Sequence, residues 1–168
     1  AGRAGREVLD AIAREIAARV DHVEPLDLAE WIRAGRAGLR VVDVRDDVAA
    51  DEYVIPGAVR VSLSRIARLE VAPGEQVVLY SDGGAHAAQA WVLLRAQGVR
   101  NVSVLHDGLA GWEDEVMAPL PARPGDRTDS LRFARARELS AWFGGLPRTE
   151  RRAPGDEATV RSRRRNTC

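Results

Sequence analysis

The chain has almost no cysteine and no lysine. Its 168 residues include a single Cys, at the last position, and every one of its basic residues is Arg. A single thiol cannot form an internal disulfide, which allows a reducing compartment, so we expect a cytoplasmic protein. Absent lysine beside abundant Ala and Gly indicates the codon bias of a GC-rich, bacterial-like genome rather than a chemical role.

Net charge and long apolar runs are also missing. The 25 basic residues are balanced by 25 acidic ones, so there is no electrostatic reason to expect a nucleic-acid partner. No run is apolar enough for a transmembrane helix, and we expect no membrane association. The three His residues have no partner at the spacing of metal ligands, so we expect no metal and no cofactor.

One turn organises what is present. The apolar, β-branched run Gln76 to Tyr80 predicts a buried strand, and Ala87 to Gln97 predicts a helix closed by Gly98. Between them lies a stretch that we call the Ser81 loop: Ser81-Asp82-Gly83-Gly84-Ala85-His86. A glycine-bearing turn between strand and helix points backbone N–H groups and a helix N-terminus at one spot. It therefore predicts a site for an anion or for a negatively charged nucleophile.

Strands and helices alternate on both sides of this turn. Further strands are predicted at Leu39 to Val44, Ala58 to Val61 and Asn101 to Leu105. Helices are predicted at Leu26 to Ala34, at Ser62 through Leu69 and around Trp112, and a short surface helix is expected from Asp46 to Tyr53. This alternation predicts an α/β fold with a mostly parallel central sheet and helices on both faces. Ligands of such sheets bind beyond the carboxyl ends of the strands, where the Ser81 loop is expected.

Helical extensions are expected at both ends of this domain, which we place at residues 25–118. In residues 1–24 an amphipathic helix is predicted from apolar residues at helical spacing, which are Val8, Leu9, Ile12, Ile16 and Val20. This helix is expected to cover the core of the domain, to form a dimer contact or to belong to a preceding domain.

Residues 119–146 hold a proline-rich linker and a helix from about Ser130 to Phe143, capped by Thr128 or Asp129. This helix is expected to dock on the domain or on a partner, and a homodimer through the terminal helices is possible. The basic residues 147–168 are expected to be disordered.

Residues 25–115 resemble the rhodanese homology domain. The resemblance is carried by three stretches: Val41-Val42-Asp43-Val44-Arg45, Ile55-Pro56-Gly57-Ala58 and Leu105 to Trp112. The Ser81 loop falls on that family's six-residue active loop, Cys-x-x-Gly-x-Arg. The resemblance implies a rhodanese-like fold, and it places the family's site of sulfur transfer at the Ser81 loop.

The sequence departs from the family pattern at the reactive positions. Ser81 stands where the family has its nucleophilic Cys, His86 where it has Arg, Ala87 where it has Ser, and Val54 where it has His. A thiol is partly ionised near neutral pH and can carry a persulfide, whereas a Ser hydroxyl does neither. We therefore predict a binding or regulatory module that lacks sulfurtransferase activity. Residues 81 to 86 would be a vestigial anion-binding loop for a small oxyanion, or the module would bind an unidentified protein partner.

Three active alternatives stay open. The Cys168 thiol could reach a neighbouring loop and carry sulfur, or a native Cys has been lost at position 81 and the parent protein is a sulfurtransferase. In the third, His86 activates Ser81 as a hydrolase-type nucleophile, with Asp82 as the only nearby orienting acid.

Three charged residues near the loop carry expectations of their own. Asp82 opposes a bound anion, by about 3 kcal/mol at 6 Å and an effective dielectric near 20, or caps the helix that begins near Gly84. Asp43 and Arg45 are interpreted as an internal charge pair that ties the end of their strand to the sheet and supports the site, rather than as a catalytic pair.

Overall fold

The computed structural model describes residues 2–18, 21–46 and 52–149. Its centre is a five-stranded sheet in which all neighbouring strands are parallel, in the order β1-β5-β4-β2-β3. The strands are β1 His22–Val23, β2 Leu39–Asp43, β3 Val59–Arg60, β4 Gln76–Tyr80 and β5 Val102–Leu105. The predicted parallel sheet is confirmed.

Helices cover both faces of the sheet, as predicted. They are α1 Arg3–Ala18, α2 Pro25–Arg33, α3 Leu63–Ile66, α4 Ala85–Ala96, α5 Gly108–Trp112 and α6 Arg127–Phe143, and a π-helical turn, Glu113–Met117, follows α5. Side chains of a strand alternate between faces, and the two core clusters follow this alternation. Val78 and Tyr80 pack with α2, α5 and α6, whereas Val77 and Leu79 pack with α1, α3 and α4.

Several element boundaries differ from the sequence predictions. The helix predicted from Ser62 through Leu69 ends at Ile66, and the Ser62 hydroxyl lies 3.1 Å from that of Ser64 without capping the helix. The last helix begins at Arg127, because the carboxylate of Asp126 accepts the N–H of Asp129 at 3.0 Å and caps it there. Strand β1 was not predicted, since two residues are too few to show a period of two.

Both terminal helices dock on the domain. From α1, Ile12 is buried and Glu15 pairs with the Nε of Arg95 at 2.9 Å, while Val8, Leu9 and Ile16 remain exposed. The apolar stripe of α1 therefore covers the core through one residue. From α6, Leu139 is buried and Arg135 binds both Asp27 and Glu30 of α2 at 2.6 Å.

Some expectations fall outside the described residues. These are Val20 of the N-terminal stripe, residues 47–51 of a surface helix expected from Asp46 to Tyr53, and the tail from Glu150 onward, including Cys168. Glu52 and Tyr53, which are described, are not helical. Of the helices in the described part, none is long and apolar enough to cross a membrane.

Candidate functional site

Strand β4 carries the chain to the Ser81 loop at the carboxyl edge of the sheet. The strand lies between β5 and β2, Tyr80 is fully buried, and Ser81 is only 2% exposed. Helix α4 begins at Ala85, and Gly84 precedes it with φ +91, a conformation that glycine adopts without steric cost. The loop is thus a strand-to-helix turn, as its sequence predicts.

The Ser81 hydroxyl oxygen serves as an acceptor inside this turn. It accepts the N–H of Gly84 at 3.2 Å and the N–H of Ala87 at 3.4 Å. The first N–H groups of a helix have no partner within the helix, and its N-terminus carries partial positive charge. Within the described part of the chain no acceptor meets the N–H groups of four other loop residues, which are Asp82, Gly83, Ala85 and His86. The loop therefore keeps donors for an external acceptor.

Helix α5 holds the loop from the other side. The carbonyl oxygen of Ser81 accepts the N–H of Leu109 at 2.8 Å, and that of Asp82 accepts the N–H of Ala110 at 3.0 Å. Gly108 has φ +56 and lies so close that a β-carbon there would overlap the Ser81 carbonyl oxygen. The backbone of the loop is consequently fixed between α4 and α5.

Two roles considered for the loop's polar side chains have no matching contact in the structure. His86 is exposed, and no hydrogen bond among the described residues joins it to Ser81, so the Ser–His pair that a nucleophilic Ser needs is not formed. Asp82 does not cap α4, whose N-cap residue is Gly84. The Asp82 carboxylate is directed elsewhere, because it lies 3.4 Å from the Arg45 guanidinium.

The expected ion pair between Asp43 and Arg45 is present and buried. Arg45 Nη2 lies 2.7 Å from Asp43 Oδ2, Nε lies 2.9 Å from Oδ1, and the side chains are 3% and 0% exposed. The Tyr80 hydroxyl donates to the same carboxylate at 3.1 Å. Burial acts to raise the pKa of Asp43, but the hydrogen bonds from Arg45 outweigh it and hold this pKa below its usual value. Beside this carboxylate, burial raises the pKa of Tyr80 well above that of free tyrosine.

Arg45 also links the sheet to the mouth of the loop. Its Nη1 lies 3.4 Å from both Asp82 and Glu52, and its Nη2 donates to the carbonyl of Tyr53 at 3.0 Å. Because its charge is largely matched by buried Asp43, it offers little attraction to an additional anion.

An open cleft of about 370 Å³ lies in front of the loop. Beside Arg45 it is lined by three carboxylates, by Gly83 of the loop, by Leu109 and Ala110 of α5 and by Tyr53. The Tyr53 hydroxyl accepts the Trp112 indole N–H at 3.1 Å. The carboxylates belong to Glu52, Asp82 and Glu113. Sequence reasoning identified Asp82 alone, since Glu52 and Glu113 come from distant segments that only the fold brings to the loop. The cleft is therefore acidic at its rim.

No metal site is apparent in the described part of the chain. No group of three or more His, Cys, Asp and Glu side chains there is arranged to hold a metal ion. His22 and His106 do come together, with ring centroids 5.8 Å apart and edge to face, because β1 and β5 are neighbours. Their sequence spacing gave no signal of this contact.

Comparisons with known proteins agree with this architecture. Residues 24–115 match the family model described as Rhodanese-like domain. The BH2092 protein of Bacillus halodurans is 25% identical, with a TM-score of 0.50 over 62% of this chain and 80% of that one. The Alr3790 protein of Anabaena sp. is 26% identical, with a TM-score of 0.50 over 54% and 75%.

A third solved structure shares the fold at lower identity. It is a protein of Rhodopseudomonas palustris, named as of unknown function and a possible tyrosine phosphatase. It is 20% identical, with a TM-score of 0.50 over 68% of this chain and 92% of that one. No curated protein matches the chain significantly.

Proposed function

Because the chain belongs to the rhodanese-like domain family, we propose that it is a member without sulfurtransferase activity that serves as a binding or regulatory module. The observation that carries this proposal is the environment of the Ser81 oxygen. It lies at the strand-to-helix turn and accepts the N–H groups of Gly84 and Ala87. The family pattern has a thiolate at this position, and here a neutral hydroxyl fills it.

Sulfur transfer needs a nucleophile that ionises and that can hold the transferred sulfur. The Ser81 hydroxyl does neither near neutral pH, and within the described residues no base is hydrogen-bonded to it. The Ser81 oxygen instead accepts the N–H groups of Gly84 and Ala87, which would face the sulfur of a Cys at this position. This favours a structural use of the Ser81 side chain over a catalytic one.

The ligand that suits the loop is a small oxyanion bound weakly. The amino end of α4 and the unpaired N–H groups favour negative charge. The carboxylates of Glu52, Asp82 and Glu113 oppose it. Asp82 is 75% exposed, so solvent screening reduces its effect from the Coulomb value to about 1 kcal/mol. A protein partner that covers the cleft is the second form of the same proposal.

The test is the rate of sulfur transfer from thiosulfate to cyanide, compared among the chain itself, Ser81→Cys and Cys168→Ser. We expect no turnover by the unchanged chain. Turnover that Cys168→Ser abolishes would assign the chemistry to the terminal thiol. Turnover that Cys168→Ser leaves intact would contradict the proposal outright. A fast Ser81→Cys variant would favour the alternative in which a Cys has been lost at position 81.

A further inference from the structure

An arginine-rich groove runs along the edge of the sheet beside β2 and β3. It has a volume of about 880 Å³ and is lined by five arginines, which are Arg40, Arg45, Arg60, Arg65 and Arg68. It shares only Arg45 with the acidic cleft in front of the Ser81 loop. The two sites therefore differ in position and in charge.

The arginines of the groove fall into two groups. Arg40 is held by Glu75, with Nε–Oε1 at 2.6 Å, and Arg45 is held by Asp43. Arg60 has only a long contact of 3.5 Å to Asp43, and Arg65 and Arg68 are exposed without an acidic partner in the described chain. The last three guanidiniums are available to an external anion, and guanidinium groups bind carboxylates in a fixed, bidentate geometry.

The groove is long rather than compact. Arg40 bonds to Glu70 and Glu75 before β4, whereas Arg45 bonds to Tyr53 beyond the carboxyl end of β2. Arg45 comes five positions after Arg40 in extended chain, which corresponds to a rise of roughly 16 Å at 3.3 Å per residue. Each bidentate pair takes one carboxylate per guanidinium, so a ligand that pairs with Arg60, Arg65 and Arg68 within this groove carries several negative groups.

Apolar side chains lie between the arginines of the groove. Val61 and Leu69 line it, and both are half-buried. Strand β3 pairs with Val42 and Asp43 alone within the described chain, but Val41 is only 4% exposed, so the edge of β2 is not free to add a strand. A ligand of the groove is therefore held by charged and apolar side chains.

We propose that this groove binds an extended acidic segment of a protein partner, with its carboxylates on Arg60, Arg65 and Arg68. The acidic residues of the groove limit the length of that segment. Asp46 follows β2 at one end. Glu70 lies at the other, where its main-chain carbonyl accepts a hydrogen bond from Arg40. Both repel a polyanion that extends past the arginines. The occupant is therefore a short segment in which acidic and apolar residues alternate.

The test uses a fluorescein-labelled decapeptide of alternating Glu and Val in an anisotropy titration at low salt. The variant is Arg65→Gln/Arg68→Gln, since both side chains are exposed and neither has an acidic partner among the described residues. The matched control, Arg100→Gln/Arg137→Gln, removes the same charge from exposed positions outside the groove. We expect the groove variant to weaken binding about tenfold and the control to change it less than about twofold.

Three results would overturn the proposal. The first is equal binding by the groove variant and the unchanged chain. The second is binding of a thymidine decanucleotide as tightly as the peptide and with the same dependence on Arg65 and Arg68. That result would mean that the groove binds any polyanion. The third is a set of peptide-induced amide shifts at Asp82 and Gly83 rather than at Val61 and Leu69. None of these bears on sulfur transfer, so the proposed function is tested separately.

Discussion

Gly108 approaches Ser81 so closely that no side chain fits between them. A β-carbon on Gly108 would overlap the Ser81 carbonyl oxygen, and the neighbouring Leu109 N–H donates to that oxygen at 2.8 Å. The glycine also has φ +56, where other residues are strained. The Ser81 loop is thus positioned by a glycine of α5 that lies 27 residues after Ser81 in the chain.

We expect Gly108→Ala to destabilise the protein by at least about 3 kcal/mol, because the overlapping atoms are backbone and cannot rotate away. Gly83→Ala is the matched control, since a β-carbon there meets nothing within 4 Å and its φ is not positive. Urea unfolding measures both. Equal stability of the two variants would show that α5 does not hold the loop.

The buried pair of Asp43 and Arg45 predicts the response of stability to acid. The pKa of the Asp43 carboxyl is held below its usual value of 3.8. The pair therefore contributes its full stability above pH 3.8, and this stability is lost as the pH falls through the lower pKa of the folded state. Asp43→Asn leaves buried Arg45 with only its longer contacts, at 3.4 Å, to the carboxylates of Glu52 and Asp82, and is expected to cost about 3 kcal/mol at neutral pH. Below pH 3.8 the difference from the unchanged protein should shrink. Urea unfolding at several pH values measures it, and a difference that grows toward acid would contradict the assignment.

The acidic rim of the cleft predicts how well a thiol at position 81 would bind its anionic substrate. In Ser81→Cys, the anionic donor thiosulfate still meets Asp82 at the mouth of the loop. We expect Ser81→Cys/Asp82→Asn to have a KM for thiosulfate about fivefold lower than Ser81→Cys, by removal of about 1 kcal/mol of repulsion. Ser81→Cys/Glu138→Gln controls for net charge, because Glu138 lies on α6 outside the cleft. Equal KM values for the Asp82 variant and this control would show that the rim does not oppose anions.

Weak oxyanion binding should be visible at the amides of the Ser81 loop. The N–H groups of Asp82, Gly83, Ala85 and His86 have no acceptor in the described part of the chain, and they lie at the amino end of α4. We expect sulfate to shift the amide resonances of residues 82 to 86 and to leave those of β2 in place. Loop amides that stay still at high sulfate would mean that the loop is closed to anions.

The sequence predicted the fold well because its strongest signals are local. Gln76 to Tyr80 is apolar and β-branched, and Gly84 and Gly98 bracket the helix that follows, so strand, turn and helix were placed within two residues. The charge pair of Asp43 and Arg45 was expected because both lie at the end of one strand. Helix ends were less accurate. Thr128 or Asp129 was predicted to cap α6, whereas Asp126 caps it by accepting the N–H of Asp129.

The surroundings of the loop could not be predicted in the same way. Glu52, Tyr53 and Glu113 reach the cleft through contacts between segments far apart in sequence. The direction of Asp82 depends on Arg45, which sits 37 residues earlier. Likewise, the groove assembles Arg40 from the start of β2 and Arg65 from α3. Sequence patterns report which face of an element is buried, but not which distant side chains meet there.

The most direct test of the account is the mass of the intact protein after incubation with thiosulfate. The account predicts no change, because the Ser81 oxygen is engaged by Gly84 and Ala87 and cannot hold sulfur. Ser81→Cys serves as the positive control for persulfide detection. A gain of one sulfur atom by the unchanged chain that persists in Cys168→Ser would contradict the central claim.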